Sequence, residues 1–291
     1  MPESKMVFVC GVTGRQGGAV ARALLRDKWQ VRGLTRDPSK REARELQRLG
    51  VETVRGDMGD RDDLEQYMQG CHGVFSVQNF WECGTEDEIR QGRLVAAVAK
   101  DVGIDHLVYS SVGGADLRTG IPHFESKWEI EQYIADLHMA ATILRPVFFF
   151  DNFCSPPLSD GINSGVLSLP MKSDKPLQMI ATQDIGGLAA MAFSRPEQFK
   201  GKAIEIAGDE LTMPETAKLL SASLNRPVRF QEMSMDAMAS FSLDLAEMFV
   251  WFNETGYSAN IEALRDLYPP LQDLRSWLSQ PAFAERLSRA A

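Results

Sequence analysis

Apolar runs alternate with helically spaced apolar residues along the first half of this 291-residue chain. The runs predict strands at 6–10, 30–35, 51–55, 73–77, 105–110 and 141–146. The spaced apolar residues between them predict helices at 17–27, 39–48, 61–68, 86–102 and 123–136. Strands separated by helices imply right-handed crossovers and a parallel sheet that is covered on both faces. The pattern therefore predicts an α/β chain with a Rossmann doubly wound parallel sheet.

The pattern changes after Pro146, because Pro, Gly and Ser become frequent in residues 153–180 and predict loops with short elements. A helix is predicted at 183–194, and a strand at 203–207 is expected to return to the main sheet. From residue 212 the chain is mainly helical, with one strand near 227–231. We therefore predict a Rossmann domain and a smaller, partly interwoven C-terminal α/β lobe that closes a cleft over the carboxyl ends of the strands. The predicted bounds are 1–152 with 181–208 for the domain, and 153–180 with 209–291 for the lobe.

A glycine-rich turn joins the first predicted strand to the first predicted helix. Its glycines are spaced G-x-x-G-x-x-G, where the common dinucleotide fingerprint is G-x-G-x-x-G. Glycines let the backbone approach a phosphate closely, and a helix N-terminus offers it N–H groups and a favourable dipole. The turn predicts a site for a dinucleotide diphosphate, with a purely structural turn as the alternative. The residues assigned to this site are Gly11, Thr13, Gly14, Arg15, Gln16 and Gly17.

Two basic residues follow the second predicted strand. Arg36 and Lys40 are spaced to hold the extra phosphate of NADP(H), because arginine forms paired charge-assisted bonds and lysine adds a point charge. In a competing interpretation Asp37 binds the ribose of NAD(H), and in a third the segment is a solvated basic turn. Asp37 precedes Pro38, a pattern typical of a helix N-cap. We therefore predict NADP(H) in preference to NAD(H).

The third and fourth predicted strands end in polar and aromatic residues. Asp57 is expected at the rim of the adenine pocket, although a solvent-facing turn would also suit it. Gln78 and Asn79 are expected near the ribose and nicotinamide. Phe80 and Trp81 are expected either to line the cleft or to belong to the core.

Composition narrows the class of protein. The chain is 44% hydrophobic and carries a net charge of -9 with a pI near 5.1, which argues against broad electrostatic capture of nucleic acid. It has no apolar run long enough to span a membrane and no signal-peptide layout at the N-terminus. Neither its four cysteines nor its four histidines have metal-ligand spacing. We expect a cytoplasmic protein with reduced thiols and no metal, with nuclear entry open if the source is eukaryotic.

Eight segments in order along the chain resemble the NmrA-like family, an atypical branch of the short-chain dehydrogenase/reductase superfamily. They read GVTGRQGGAVARALL, TRDP, VQNFWE, HLVYSSV, HFESK, LRPVFFFDNF, LAEMFVWFNETGY and GYSANIEALRDLYPPLQDLRSWL. The resemblance runs from residue 6 to beyond Leu278. It implies a Rossmann domain with a small C-terminal lobe and NADP(H) as the preferred nucleotide. It also implies members that sense redox state or bind protein partners, beside others that reduce small molecules.

The catalytic positions of the superfamily are only partly kept. The resemblance implies a serine, met here by Ser111 or its neighbour Ser110, and a Y-x-x-x-K helix, which reads His123-Phe-Glu-Ser-Lys127. His123 thus stands where tyrosine donates the proton. It is expected to be a replacement proton donor, a ribose or amide contact, or an ordinary helix residue. Lys127 is expected to contact the nucleotide, with a surface lysine as the alternative.

The segment after Pro146 is expected to enter the cleft. Phe149, Phe150 and Asn152 are assigned to the wall beside the nicotinamide. The Met- and Phe-rich stretch from Met233 to Phe252 favours amphipathic core over a lid or a partner-binding helix.

Two functional hypotheses remain open at this point. The first is an NADP(H)-binding protein that senses the redox state of the nucleotide and acts through a protein partner. The second is an NADPH-dependent reductase of a hydrophobic carbonyl, enone or quinone, in which Lys127, His123 or water supplies the proton. A monomer or homodimer is expected in either case. The sequence keeps a nucleotide site but lacks the usual tyrosine, which slightly favours the sensor. The aromatic residues of the expected cleft favour the reductase.

Overall fold

The computed structural model describes residues 5–289, whose contacts divide the chain into two compact units. Unit 1 comprises the chain up to Arg145 together with Ile185–Ile204. Unit 2 comprises Pro146–Asp184 and the chain from Glu205 onward. The division expected from the sequence has its boundaries at 152, 181 and 208.

Strands and helices alternate through unit 1 and become shorter in unit 2. The strands are β1 (Met6–Val9), β2 (Gln30–Thr35), β3 (Glu52–Arg55), β4 (Gly73–Ser76), β5 (His106–Ser110), β6 (Ala141–Pro146), β7 (Phe148–Phe149), β8 (Val166–Leu169), β9 (Pro176–Ile180), β10 (Lys202–Ile206), β11 (Asp209–Thr212) and β12 (Arg229–Glu232). The helices are α1 (Arg15–Arg26), α2 (Arg41–Arg48), α3 (Arg61–Met68), α4 (Phe80–Asp101), α5 (Pro122–Asp136), α6 (Leu158–Asn163), α7 (Thr182–Ser194), α8 (Pro196–Phe199), α9 (Met213–Leu224), α10 (Met235–Phe241), α11 (Leu243–Glu254), α12 (Ile261–Leu267), α13 (Leu274–Leu278) and α14 (Pro281–Arg289).

The main sheet has seven strands in the order β10-β6-β5-β4-β1-β2-β3. The pairs from β6 to β3 are parallel, and Val9 of β1 lies in register with Gly33 of β2 on one side and Phe75 of β4 on the other. The chain proceeds from β1 outward to β3 and then crosses back to β4, so the direction of winding reverses between β1 and β4. The predicted Rossmann fold is confirmed, and ligands of such sheets bind where this reversal occurs, at the carboxyl ends of the strands.

Burial of both sheet faces explains why the strands of unit 1 read as apolar runs. All residues of β4 and β5 are buried. Phe8, Val74 and Leu107 from the sheet pack in one cluster with Val95 of α4 and Ile130 of α5. This core fixes the carboxyl ends of β1, β4 and β5, from which the candidate site residues extend.

Unit 2 contains two small sheets and most of the short helices. One sheet has the order β11-β9-β7, with β9 antiparallel to β11 and parallel to β7, and the other pairs β8 with β12 in parallel. The sequence predicted the strand at β12 but treated the regions of β7, β8 and β9 as loops or wall segments. These strands have only two to five residues each, which is too short for a clear apolar alternation.

Candidate functional site

The glycine turn lies at the point where the winding of the sheet reverses. Gly11 follows β1 with φ 59°, a left-handed conformation that favours glycine, and a Cβ added to it would lie 3.4 Å from Val77 Cγ1 beyond β4. The N–H of Gly14 donates to the carbonyl of Gly11 at 2.9 Å and closes the turn. A Cβ at Gly17 would lie 2.2 Å from the same carbonyl oxygen. The first and third glycines of the predicted motif are therefore required by the backbone path.

Helix α1 begins directly after this turn and has no side chain capping its N-terminus. Its N-cap is Gly14, and its first turn contains no acidic residue. The first-turn amides of this 12-residue helix therefore keep their affinity for an anion. Thr13, Gly14 and Arg15 are half-buried or exposed, so the outer side of the turn is accessible.

Gln16 connects the glycine turn to the end of β5. The hydroxyl of Ser110 donates to Gln16 Oε1 at 2.6 Å. The predicted nucleotide residue Gln16 and the neighbour of the predicted catalytic serine thus meet in the free protein. This bond fixes the start of α1 against the sheet.

Arg36, at the end of β2, forms an ion pair that the sequence did not predict. Its Nη2 lies 2.6 Å from Oε2 of Glu82, and the two side chains are 69% and 56% exposed. The hydrogen bond from Arg36 holds the pKa of Glu82 below its usual value, and the charge of Lys40 adds to this effect. Arg36 and Lys40, the two cations assigned to a phosphate, thus stabilise the carboxylate of Glu82 in this structure.

Asp37 forms a turn and does not cap a helix. Its Oδ1 accepts hydrogen bonds from the amide of Ser39 at 2.8 Å and from its hydroxyl at 2.6 Å. These bonds lower the pKa of the carboxyl group. Helix α2 begins at Arg41 with Lys40 as its N-cap, so the predicted N-cap role of Asp37 is wrong. The competing side-chain bonds of Ser39 hold the chain in a turn for three more residues.

The polar residues after β3 and β4 have different surroundings. Asp57 accepts a hydrogen bond from the amide of Gly59 at 2.7 Å and thereby holds a tight turn. Gln78 is 4% exposed and donates to the hydroxyl of Ser76 at 2.9 Å. Within the described residues its Oε1 has no hydrogen-bond partner, which is unusual for a buried oxygen and suits a ligand donor at this edge. Asn79 is exposed and is the N-cap of α4.

An aromatic cluster surrounds His123. The ring centroids of Phe80 and Trp81 lie 5.4 and 5.2 Å from the imidazole, and the two rings lie 5.2 Å from each other. His123 is buried, whereas Trp81 is 58% exposed. Phe124 also packs edge-on against the imidazole, with the ring centroids 4.9 Å apart. The structure thus brings the residue at the tyrosine position together with the two aromatic residues that follow β4.

Lys127 is held by a buried acid from α4. Its Nζ lies 2.9 Å from Oε1 of Glu88, and the hydroxyl of Ser126 donates to the other carboxylate oxygen. The Glu88 side chain is fully buried and that of Lys127 is 13% exposed. Glu88 was missed because its partner lies 39 residues away in the sequence.

Ser111 belongs to a separate polar network. Its hydroxyl donates to Glu131, which also accepts from Arg145 Nη2 at 2.7 Å. Arg145 in turn pairs with Asp116 at 2.6 Å. Ser111, His123 and Lys127 thus have different immediate partners, and the catalytic role of Ser111 stays a prediction.

The predicted residues of the nicotinamide wall lie in unit 2. Phe149 is half-buried in β7, and Asn152 is half-buried in the 3-10 turn that follows it. Phe150 is fully buried, with its ring centroid 5.6 Å from that of Trp277. The Phe150 side chain is therefore part of the core of unit 2 and presents no exposed surface to a nucleotide.

Two kinds of feature are absent from residues 5–289. No group of three or more His, Cys, Asp or Glu side chains is arranged to hold a metal ion. No helix there has both the length and the apolar character needed to cross a bilayer.

Comparison with known proteins gives one family match and several similar proteins. The model of the NmrA-like family matches residues 3–278. The (4-alkanoyl-5-oxo-2,5-dihydrofuran-3-yl)methyl phosphate reductase of Streptomyces griseus is 31% identical over 96% of this chain and 99% of its own.

Two solved structures have the same fold at low sequence identity. The triphenylmethane reductase of Citrobacter sp., complexed with NADP(H), superposes with a TM-score of 0.79 at 20% identity, covering 99% of this chain and 100% of its own. NmrA, a negative transcriptional regulator in complex with NADP, gives a TM-score of 0.83 at 19% identity, covering 99% of each chain.

Proposed function

Since the chain belongs to the NmrA-like family, we propose that it binds NADP(H) at the carboxyl edge of the seven-stranded sheet and uses it to reduce a hydrophobic small molecule. The single observation that carries the binding proposal is the glycine turn at the reversal of winding. The close approach of Gly17 to the carbonyl of Gly11 leaves no room for a side chain, and α1 presents uncapped first-turn amides beside it. That arrangement suits a diphosphate.

The preference for NADP(H) rests on the end of β2. Glu82 acts as a stand-in anion there, because its carboxylate lies 2.6 Å from Arg36 and is stabilised by the charge of Lys40. A 2′-phosphate carries more charge and offers more acceptor oxygens to the same two cations. The carboxylate of Asp37 is occupied by Ser39, which disfavours its use as the ribose acid that NAD(H) needs.

A bound nicotinamide would supply a hydride, and the chain then has to orient the acceptor and provide a proton. Phe80 and Trp81 offer an apolar surface for a planar acceptor, and Trp81 is largely exposed. Lys127 is paired with Glu88 and His123 is buried, so water is the simplest proton source. Acceptors whose reduced form takes up a proton from water, such as quinones, need no tyrosine. The reductase relative of Streptomyces griseus supports turnover over regulation alone.

The test combines nucleotide titration with a variant pair. Calorimetry with NADP, NADPH, NAD and NADH is expected to give tighter binding of NADP and NADPH, the two forms that carry a 2′-phosphate. Arg36→Ala is expected to weaken NADPH binding about 10-fold, the value of one charge-assisted pair, and to leave NADH binding unchanged. Arg41→Ala, five residues on and equally exposed, is the matched control. Equal binding of NADPH and NADH by the unmodified protein would refute the preference.

Turnover is tested by NADPH consumption with quinones, enones, azo compounds and carbonyls. Oxidation of NADPH by at least one hydrophobic acceptor supports the reductase. Its absence across all four classes, with tight NADPH binding, favours the second candidate, a regulator that senses the redox state of the nucleotide. The observation behind that candidate is the separation of Ser111, His123 and Lys127 among different partners. A sensor must bind NADP and NADPH with different affinities, since equal binding shifts no equilibrium.

A further inference from the structure

The first turn of α4 is separated from the rest of the helix by a break. Gly84 has φ 75° and ψ 177°, so Phe80–Cys83 forms one turn outside the continuous helix. The periodicity of the sequence predicted a helix only from residue 86, which agrees with this break. A Cβ built on Gly84 would meet no atom within 4 Å. The joint is therefore sterically open as well as conformationally permissive.

This turn connects the basic end of β2 to the aromatic cluster. Glu82 extends from it to Arg36 at 2.6 Å. Phe80 and Trp81, two residues and one residue earlier, lie against His123. One short segment thus carries both the anion held by Arg36 and the aromatic cover of the imidazole.

Resting on the function proposed above, we propose that Glu82 is a specificity-determining residue. In this proposal the 2′-phosphate of NADP(H) displaces its carboxylate from Arg36, which releases the Phe80–Cys83 turn and changes the cover of His123. NAD(H), which lacks that phosphate, leaves Glu82 in place. The aromatic surface for the acceptor is then rearranged only by the phosphorylated nucleotide.

Electrostatics favour displacement of the Glu82 carboxylate by the 2′-phosphate over binding of both anions to Arg36. An exposed ion pair is weak, so the bond between Glu82 and Arg36 is easily exchanged for another anion. If the 2′-phosphate bound the guanidinium of Arg36 while Glu82 stayed there, the two anions would be in contact. Their repulsion would displace whichever of the two can move. In this proposal Glu82 is the anion that moves, because its turn meets the rest of α4 at the permissive backbone of Gly84.

The experiment uses adenosine 2′,5′-bisphosphate and adenosine 5′-diphosphate as probes, because they differ in the 2′-phosphate and contain no nicotinamide. Trp81 emission is the readout, obtained as the difference between the protein and its Trp81→Phe variant, since the chain has five tryptophans. Glu82→Gln removes the charge and keeps a side chain suited to the third position of a helix. Glu86→Gln removes the same charge beyond the break and is the matched control.

We expect the bisphosphate, and not the 5′-diphosphate, to change Trp81 emission. Glu82→Gln is expected to show the changed emission without any ligand and to bind the bisphosphate about 2- to 5-fold more tightly, the range of an exposed ion pair. Glu86→Gln is expected to behave like the unmodified protein.

The outcomes separate this inference from the proposed function. If the bisphosphate binds but Glu82→Gln and Glu86→Gln match each other in emission and affinity, Glu82 has no such role and the nucleotide site stands. If neither probe binds at any tested concentration, the proposed function fails and the inference fails with it. A Trp81 response to both probes alike would also overturn the role of the 2′-phosphate.

Discussion

Replacing Gly17 with alanine tests the glycine turn most directly. The added Cβ would lie 2.2 Å from the carbonyl oxygen of Gly11 and 2.8 Å from that of Cys10, both backbone atoms. Contacts between non-bonded heavy atoms are about 3.5 Å, so the start of α1 has to move by roughly 1 Å away from β1. Overpacking of this kind costs about 1–3 kcal/mol, and alanine in a helix returns about 1 kcal/mol. We expect a net loss of up to about 2 kcal/mol in the free energy of unfolding.

Gly17→Ala should weaken nucleotide binding as well as stability. The same displacement moves the first-turn amides away from the diphosphate, and we expect NADPH affinity to fall at least about 10-fold, which is about 1.4 kcal/mol. Urea unfolding and calorimetric titration measure the two quantities. Gly18→Ala is the matched control, because its Cβ would meet only Arg22 Nη1 at 3.2 Å and the carbonyl of Val12 at 3.3 Å. NADPH binding by Gly17→Ala at the affinity of Gly18→Ala would refute the assignment of this turn.

Three further predictions concern buried charge. Lys127→Met is expected to cost about 3 kcal/mol of unfolding free energy in urea, because it leaves the Glu88 carboxylate buried without its cation. The Lys127→Met/Glu88→Gln double variant is expected to recover most of this loss. Equal losses in the single and the double variant would contradict the pairing. Burial raises the pKa of Asp184 from 3.8 to about 6, so the folded state binds the proton more tightly and gains about 2 kcal/mol of stability as the pH falls from 6 to 4. Asp184→Asn should lose this gain in urea melts at the two pH values. Burial, assisted by nearby charge, lowers the pKa of His106 from 6.5 to about 4, which costs about 2 kcal/mol of stability as the pH falls from 6 to 4. His106→Gln should therefore become more stable relative to the unmodified protein over that range. For either variant, a stability difference from the unmodified protein that is the same at pH 6 and at pH 4 would count against the assignment.

The fold of unit 1 could be predicted because its buried strands are continuous apolar runs, whereas its helices carry apolar residues at helical spacing. The predicted strands 30–35 and 141–146 coincide with β2 and β6, which at six residues each are longer than the other described strands. The short strands of unit 2 could not be recognised. β7 has two residues and β11 has four, and each gains its hydrogen bonds from β9, a partner that is distant in sequence.

The part of the candidate site that depends on backbone conformation could be predicted from the sequence. The ion pairs between its side chains could not. The glycine turn follows from local conformation, so Gly11 and Gly17 stand where the spacing placed them. The partners of Arg36 and Lys127 are Glu82 and Glu88, which lie 46 and 39 residues away. Local sequence periodicity cannot reveal pairs of residues that are so far apart in the sequence. An acidic residue within a helical pattern is also expected to face the solvent, so the burial of Glu88 was not predicted.

The pair His123 and Lys127 shows how a correct local prediction leaves the chemistry undetermined. Their spacing of four residues places them on neighbouring turns of α5, as the sequence indicated. The helix α4 nevertheless presents two different groups to them, an aromatic pair to the imidazole and the Glu88 carboxylate to the ammonium. Because one helix supplies both, a change in its first turn acts on His123 while the buried ion pair holds Lys127 in place. If the proposed reductase function holds, turnover is therefore expected to depend on the position of Phe80 and Trp81 more than on Lys127.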